Sequence, residues 1–445
     1  MFYIRNRKFY ISYHIHYMKK ILLSGALVLT ASLLFGQDIN KIINAKESEQ
    51  ILQKLASDEM KGRKTFSPEI DKAADFIAEE FKKAGLQTWN NSKSYLQEFS
   101  LTTAKQTAVT FTTDGQPADA KKVLVITAQA EFKVDQSSGY ERAEIKGGEP
   151  RSIFEKAIEL AGSGKDLFVS VDTGFSANFS RLTFLKRGMF PGTKNIIFFL
   201  GPIPSRFTVE AKHDITAQKL ANVVGILPGK SRKEEYVIFS GHYDHIGIGR
   251  VVNGDSIYNG ANDDAAGTTG VIMLAKYFKA LKNNERTLVF AAFTAEEIGG
   301  FGSQYFSKQF DPAKVMAMFN IEMIGTQSQW GANSAYITGF EKTDMGVILQ
   351  KNLQGTDFTF HPDPYTKENL FYRSDNATLA RLGVPAHTIS TAKMDSEPHY
   401  HKPSDHVATL DMENMAKIIQ AIALSSRGIV AGQETPARVK PEDLK

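Results

Sequence analysis

The sequence predicts an α/β protein built on a doubly wound, mostly parallel sheet flanked by helices, with a strand-rich inserted subdomain. Three observations predict it. From Leu220 onward, apolar runs of strand length alternate with segments of helical periodicity, the pattern of βαβ units and a parallel sheet. Between Thr102 and Ala221 that pattern gives way to strand-like pieces separated by glycine- and serine-bearing turns. After residue 240, acidic residues and histidines recur just past strand runs, at the carboxyl ends where open α/β sheets keep their chemistry.

In chain order, residues 1–36 read as a targeting sequence. Met18-Lys19-Lys20 is a basic start, Ile21 to Phe35 is an apolar run short for a membrane span, and Gly36-Gln37-Asp38 offers a small-residue exit with cleavage near Gly36. Met1 to Tyr17 is read as an upstream extension ahead of a true start at Met18, and a retained amino-terminal anchor is the rival reading of the apolar run. Residues 37–101 form the helical start of the main domain. Asp38 to Ala56 has helical spacing with an interruption near Ala45, and Pro68 to Ala84 is a helix with Ser67 as cap, Pro68 in its first turn and Gly85 as its stop. Residues 102–221 are the insert, with strands at Ala108–Phe111, Val123–Ile126, Leu167–Val171 and Ile196–Leu200; its phenylalanine-rich stretch Phe175 to Phe190 is read as the insert's own core, with a substrate-facing lid as the rival reading.

Residues 222–432 form the main domain. Strands are expected at Tyr236–Ser240, Thr287–Phe293, Val315–Ile321 and Ala386–Ser390. Helices are expected at Ala266–Leu281, Gly302–Phe310, Thr343–Leu353, Asn376–Leu382 and Met412–Val430. Residues 433–445 read as a polar, frayed tail. The formal charge is +4, but Arg5, Arg7, Lys8, Lys19 and Lys20 lie in the acid-free segment before Gln37. Without those five of the 53 basic residues, 48 remain against 49 acidic ones, a balance near −1 that argues for no nucleic-acid partner. The chain has no cysteine, which excludes disulfides, thiolate metal ligands and cysteine nucleophiles. An exported chain without disulfides suits a bacterial periplasm or culture medium, with no stable membrane insertion.

Five loops carry the candidate chemistry. They hold His242 with Asp244, the Asn262-Asp263-Asp264 turn, the adjacent pair Glu296 and Glu297, Glu322, and His401. Imidazoles and carboxylates without thiolates suit zinc, or less specifically manganese or cobalt. Strand ends of one sheet converge, and a buried cluster of this many carboxylates would repel itself without cations. One assignment places His242 and Glu322 on one ion and Glu297 and His401 on the other, with an aspartate of the 262–264 turn bridging both. Glu296 is then free to act as the base that takes a proton from an attacking water and hands it to the leaving amine. Asp244 is expected to orient the His242 ring, and His245, His387, His399 and His406 are assigned no ligand role.

These residues resemble the co-catalytic di-zinc exopeptidases, a family that includes secreted bacterial aminopeptidases and glutamate carboxypeptidases. The resemblance rests on His-x-Asp at His242, Asn-Asp-Asp-Ala-Ala-Gly at Asn262, Glu-Glu-x-Gly at Glu296 and Tyr-His-x-Pro-x-Asp at Tyr400, in the family's order. It implies that Asp263 is the bridging ligand, that the Asp263–Asp264 bond is cis, and that Tyr400 donates to the developing oxyanion. Two departures stand out: Glu322 lies where many members have aspartate, and Arg373-Ser374-Asp375-Asn376 carries asparagine where relatives often have histidine. The insert falls where relatives carry a protease-associated domain, which it matches poorly.

The resemblance implies an exported zinc-dependent aminopeptidase acting on peptides with a free N-terminus. A carboxypeptidase or dipeptidase of the same family is the alternative. Glutaminyl cyclase shares the fold but uses one zinc without the first histidine, so His242 argues against it. A catalytically dead binding module would have lost ligands, and here all are kept.

Overall fold

The computed structural model describes residues 39–150 and 152–443; the expected targeting segment, residues 1–36, lies outside the described residues. A helical turn at 39–42 is broken at Ile43 and Asn44. Asn44 then caps helix α1 (Ala45–Leu55), its side chain accepting from the Glu47 amide at 3.0 Å. Helix α2 (Pro68–Lys83) follows, with Gly85 at φ 75° turning the chain out of it. Ser67 does not cap α2 as expected: it holds the N-cap position, but its hydroxyl is buried and makes no hydrogen bond to the first-turn amides.

The main sheet contains β1 (Leu96–Thr113), β2 (Phe207–Leu227), β3 (Arg232–His242), β4 (Arg286–Phe293), β5 (Val315–Glu322), β6 (Ser334–Ile337), β7 (Thr359–Pro362) and β8 (Ala386–Ser390). Their order across the sheet is β7-β6-β8-β5-β3-β4-β2-β1. The centre, β8-β5-β3-β4, is parallel throughout, while β2 joins β4, and β6 joins β8, antiparallel. All eight residues of β4 are buried. Leu288, Phe290 and Ala292 face one core, and Val289, Ala291 and Phe293 face the other, the period-two signature of a strand covered on both faces.

One face is packed by α1, α2, α3 (Gly267–Leu281), α5 (Met345–Asn352) and α6 (Met412–Ser425). The opposite face is covered by α4 (Phe301–Ser307), the short helix Ala377–Ala380 and the chain's end. Phe239 of β3 stacks on Phe290 of β4 (centroids 5.6 Å apart) and Phe319 of β5 (4.9 Å). Burying each ring is worth about 1.5–3 kcal/mol, and the ladder keeps three strands in one register, so His242, Phe293 and Glu322 end at the same edge.

The insert leaves this sheet along a ribbon: β1 and β2 run on without a break, Thr102 pairing with Ala217 and Glu98 with Ala221. At its far end lies a second sheet of four strands, Val123–Ile126, Ile196–Leu200, Leu167–Val171 and Glu141–Ile145 in spatial order, with the helix Ser152–Gly162 against it. Phe175 and Phe179 belong to that core, as expected of the phenylalanine-rich stretch. Phe190 instead packs outside it, against Phe99, Phe301 and Tyr305.

Several expectations are corrected. The tail is not frayed: Val439 is buried, its amide bonds the Gly383 carbonyl, and the buried Arg286 guanidinium donates to Glu434 O at 2.7 Å. Ser426 divides the helix expected at Met412–Val430, and those expected at Gly302–Phe310 and Asn376–Leu382 shorten to Phe301–Ser307 and Ala377–Ala380. Strand β6, the edge strand β7 beside it and the hairpin Gly247–Val252/Asp255–Tyr258 are not among the sequence expectations. The hairpin had a plain signal, Asn253-Gly254, both residues adopting the positive φ that a tight hairpin turn needs. Among the described residues, no helix is long and apolar enough to cross a membrane.

Candidate metal centre

The five loops meet at the carboxyl edge of the parallel strands. His242 ends β3, and its Nδ1 lies 3.0 Å from the Asp244 backbone carbonyl. A carbonyl only accepts, so Nδ1 carries the ring proton and Nε2 presents a lone pair when the imidazole is neutral. That Nε2 sits 3.2 Å from Asp263 Oδ1 and 3.2 Å from Glu322 Oε1. His401 repeats the arrangement with the other oxygen, its Nε2 lying 3.2 Å from Asp263 Oδ2 and 3.3 Å from Glu297 Oε2. Asp263 therefore lies between two histidines, one per oxygen.

A lone pair facing two carboxylates is tenable only with a cation or a proton between them. Burial would lower the His401 pKa, but Asp263 and Glu297 raise it to about 10, and Glu322 and Asp263 likewise hold His242 well above the usual imidazole range. Glu297 Oε1 is buried, and the nearby Nδ1 of His245, 2.7 Å away, does not meet it in hydrogen-bond geometry. Zinc would suit this donor set of nitrogen and carboxylate oxygen, so the residues fit the metal.

The neighbours Asp263 and Asp264 are joined by a cis bond, as the resemblance implied, and their carboxylates do different things. Asp264 Oδ1 accepts from the amides of Gly267 (2.9 Å) and Met323 (3.0 Å), and Oδ2 from that of His242 (3.2 Å). Asp264 also lies close enough to His242 and Glu322 to form a metal-type trio, yet both its oxygens are spent tying three loops together. Asp405 caps the same turn, accepting from the Asn262 amide at 2.8 Å and the Asp263 amide at 3.1 Å.

Glu296 and Glu297 follow β4 by three and four residues. Burial and Asp263 push the Glu297 pKa up, but His245 and His401 outweigh them and bring it to about 2. Glu296 moves the other way: burial, then the Glu322, Asp375 and Glu297 carboxylates, raises it well above the usual range. Three non-glycine residues in the left-handed region mark this edge: Ala295 before the pair (φ 60°), Met323 after Glu322 (φ 51°) and His401 itself (φ 54°). Such conformations cost about 1–3 kcal/mol each and persist where the surroundings over-determine them.

Two sequence expectations change here. Asp244 does not orient the His242 ring through its carboxylate, which lies 3.8 Å from Nδ1; the backbone carbonyl does that. The carboxylate instead accepts from the amides of Glu296 (3.0 Å) and Glu297 (3.3 Å) and from the Thr65 hydroxyl (3.0 Å). His245, assigned no ligand role, lies with Nδ1 2.7 Å from Glu297 Oε1 and 3.9 Å from Asp263 Oδ2, forming a second metal-type trio with them.

One organiser was not foreseen. Arg63, fully buried, donates to the carbonyls of Leu55 (2.7 Å), Tyr243 (2.7 Å), Asn259 (2.6 Å) and Gly260 (2.9 Å), pinning the His242 loop to the Asp263 turn. Burial lowers its pKa to about 10. No sequence signal marks it, since Gly62-Arg63 alone is an unremarkable dipeptide.

The ligand cluster floors a cleft of about 550 Å³, counting space open to solvent. Tyr336, Thr338, Leu370, Ala392 and Met394 are among the residues that line it, and Tyr400 stacks on the His401 ring with centroids 3.9 Å apart.

Residues 222–425 match the profile of Peptidase family M28. A probable leucine aminopeptidase of Trichophyton verrucosum is 31% identical over 204 residues, 44% of this chain and 53% of that protein. An aminopeptidase of Bacillus subtilis is 21% identical over 234 residues, 51% of this chain and 48% of its own length. The chain thus spans about half the length of the curated relatives it matches. Among solved structures, a zinc aminopeptidase from Bacillus subtilis superposes with TM-score 0.53 at 17% identity, covering 91% of this chain and 99% of that one. A Peptidase M28 precursor from Shewanella amazonensis SB2B gives 0.54 at 14% identity, covering 92% and 98%. At these identities the structural likenesses speak for the fold, which is the expected α/β architecture. The motifs at residues 242, 262, 296 and 400 all fall within residues 222–425, the stretch of this chain that is similar to Peptidase family M28.

Proposed function

We propose that the chain is a zinc-dependent aminopeptidase that binds two zinc ions, with manganese or cobalt able to take their place, and releases N-terminal residues from peptides. One observation carries the proposal: each oxygen of Asp263 faces the Nε2 of a different histidine, and each histidine shares a second carboxylate, Glu322 or Glu297. Asp263 would serve both ions, His242 and Glu322 would hold one, and Glu297 and His401 would hold the other. The names of the aminopeptidase relatives support the choice of reaction, and no observation favours a carboxypeptidase or dipeptidase.

Ions held there would supply a water of lowered pKa and polarise the scissile carbonyl. Glu296, outside both histidine–carboxylate groups and raised in pKa by its surroundings, takes the water's proton and delivers it to the leaving amine. Asp244 aims Glu296 by holding its amide. Tyr400, whose hydroxyl stays protonated through burial and the nearby carboxylates, donates to the carbonyl oxygen as negative charge develops. The cleft, whose lining includes Tyr336, Thr338, Leu370, Ala392 and Met394, receives the first residue of the substrate. Export from a bacterial cell belongs to the proposal, supported by Lys19-Lys20 ahead of the apolar run and by the lack of cysteine.

The test is to strip the purified protein with a chelator, restore zinc and offer a panel of free and N-blocked aminoacyl substrates. Zinc-dependent cleavage of the free-amine substrates alone is expected; cleavage only of the blocked ones overturns the aminopeptidase.

A further inference from the structure

Glu322 reaches the cluster through a side chain with three rotatable bonds, and something must decide which carboxylate oxygen faces His242. The structure contains that device in a run of uncharged side chains behind it. Asn376 is fully buried, and its Nδ2 donates to two backbone carbonyls, Phe371 O at 2.9 Å and Ala386 O at 3.1 Å. Carbonyls only accept, so the amide's orientation is fixed and its Oδ1 must be an acceptor.

Each later bond then has one available direction. Thr388 spends its single hydroxyl hydrogen on Asn376 Oδ1 at 2.8 Å. Toward Asn320 it can therefore only accept, and Asn320 Nδ2 donates to it at 3.1 Å. The other hydrogen of that same nitrogen goes to Ser374 Oγ at 2.7 Å, while Asn320 Oδ1 accepts from Ser240 at 2.8 Å. Ser374, having accepted, is left to donate, and its hydrogen points at Glu322 Oε2, 2.6 Å away. Charge-assisted bonds of this length are the strong ones. Oε2 is thereby engaged, and Oε1 is the oxygen turned to His242 Nε2 at 3.2 Å.

We propose that Asn376, Thr388, Asn320 and Ser374 form a one-way hydrogen-bond relay that presents Glu322 to the first metal site through Oε1 alone, with Ser374 as its positioning residue. The inference rests on the proposed ligand role of Glu322. It also links the residues at the two departures noted in the sequence, Glu322 and Asn376, since the longer acid reaches the serine and the asparagine orients the chain of donors that ends there.

The test measures zinc affinity on the metal-stripped full-length protein by competition with a chromophoric chelator, without substrate, so that any contact between Ser374 and substrate plays no part. Wild type should take up two ions. Ser374→Ala should still take up two, with one of them weakened about 10–100-fold, the usual effect of losing a hydrogen-bond partner to a ligand, and Ser374→Thr should recover most of the loss. The metal-free melting temperature of Ser374→Ala should stay at the wild-type value, which separates positioning from general destabilisation. In a Glu322→Asp background, where the shorter acid cannot span both partners, adding Ser374→Ala should change the affinity no further. Wild-type affinity at both sites in Ser374→Ala overturns the relay. A wild-type protein that takes up no zinc overturns the metal reading instead, and the two failures are distinct.

Discussion

Replacing Glu296 with glutamine keeps the shape of the side chain and removes one proton acceptor, so it separates chemistry from metal binding. Glu296 lies in neither histidine–carboxylate group, and its backbone amide remains on Asp244. Metal content should therefore stay at the wild-type value. Loss of a positioned general base costs about 10²–10⁴ in rate, or about 3–5 kcal/mol of transition-state stabilisation. It should appear in kcat, with KM little changed, when a leucine-type chromogenic substrate is followed at saturating zinc. Stability should move the other way. The Glu296 pKa is raised on folding by burial and by the neighbouring carboxylates, so the folded state holds its proton more tightly than the unfolded chain. A group shifted in that direction lowers stability as pH rises above its unfolded value, near 4.3. Metal-free Glu296→Gln should accordingly melt above metal-free wild type at pH 7, and the gap should close below about pH 4. A variant within tenfold of wild-type kcat refutes the base assignment, and one that loses an ion refutes the division of labour between Glu296 and Glu297.

His401 and His245 both approach Glu297, and only one of them should be a ligand. His401→Ala is expected to retain a single tightly held zinc, and His245→Ala to retain two with modest weakening; metal analysis after dialysis gives the answer, and the opposite pattern would exchange their roles. Arg63→Met removes four buried donors from backbone carbonyls, and unmade buried hydrogen bonds cost about 1–3 kcal/mol each, so urea denaturation of the metal-free protein should show a loss of at least about 3 kcal/mol. A loss below about 1 kcal/mol would mean that Arg63 does not hold the two loops together.

The central strands and the five loops were legible because their signals are local. The apolar run before Glu296 is a strand buried on both faces, and the acids and histidines stand at fixed short distances beyond such runs. Hairpin residues 253–254 were equally readable and were passed over. Arg63 was not readable: it lies 180 residues or more from three of the four carbonyls it binds, and its job exists only once those loops converge. The tail misled because its composition is polar, while its order comes from the Arg286 guanidinium bound to the Glu434 carbonyl and from the burial of Val439.

By itself, the sequence determined which residue types meet at the edge of the sheet: carboxylates and imidazoles in the order of one peptidase family. Ligand chemistry depends on residue identity, and strand-end position depends on short-range periodicity, so both are written locally. Only the tertiary structure decided the work of adjacent twins. Asp263 turns to two histidines while Asp264 binds backbone amides, Glu297 is drawn down by two imidazoles while Glu296 is driven up, and Asp244 serves the glutamates rather than the histidine beside it. Neighbours in sequence carry the same chemistry, and what distinguishes them is the direction in which each side chain leaves a backbone held by hydrogen bonds from distant parts of the chain.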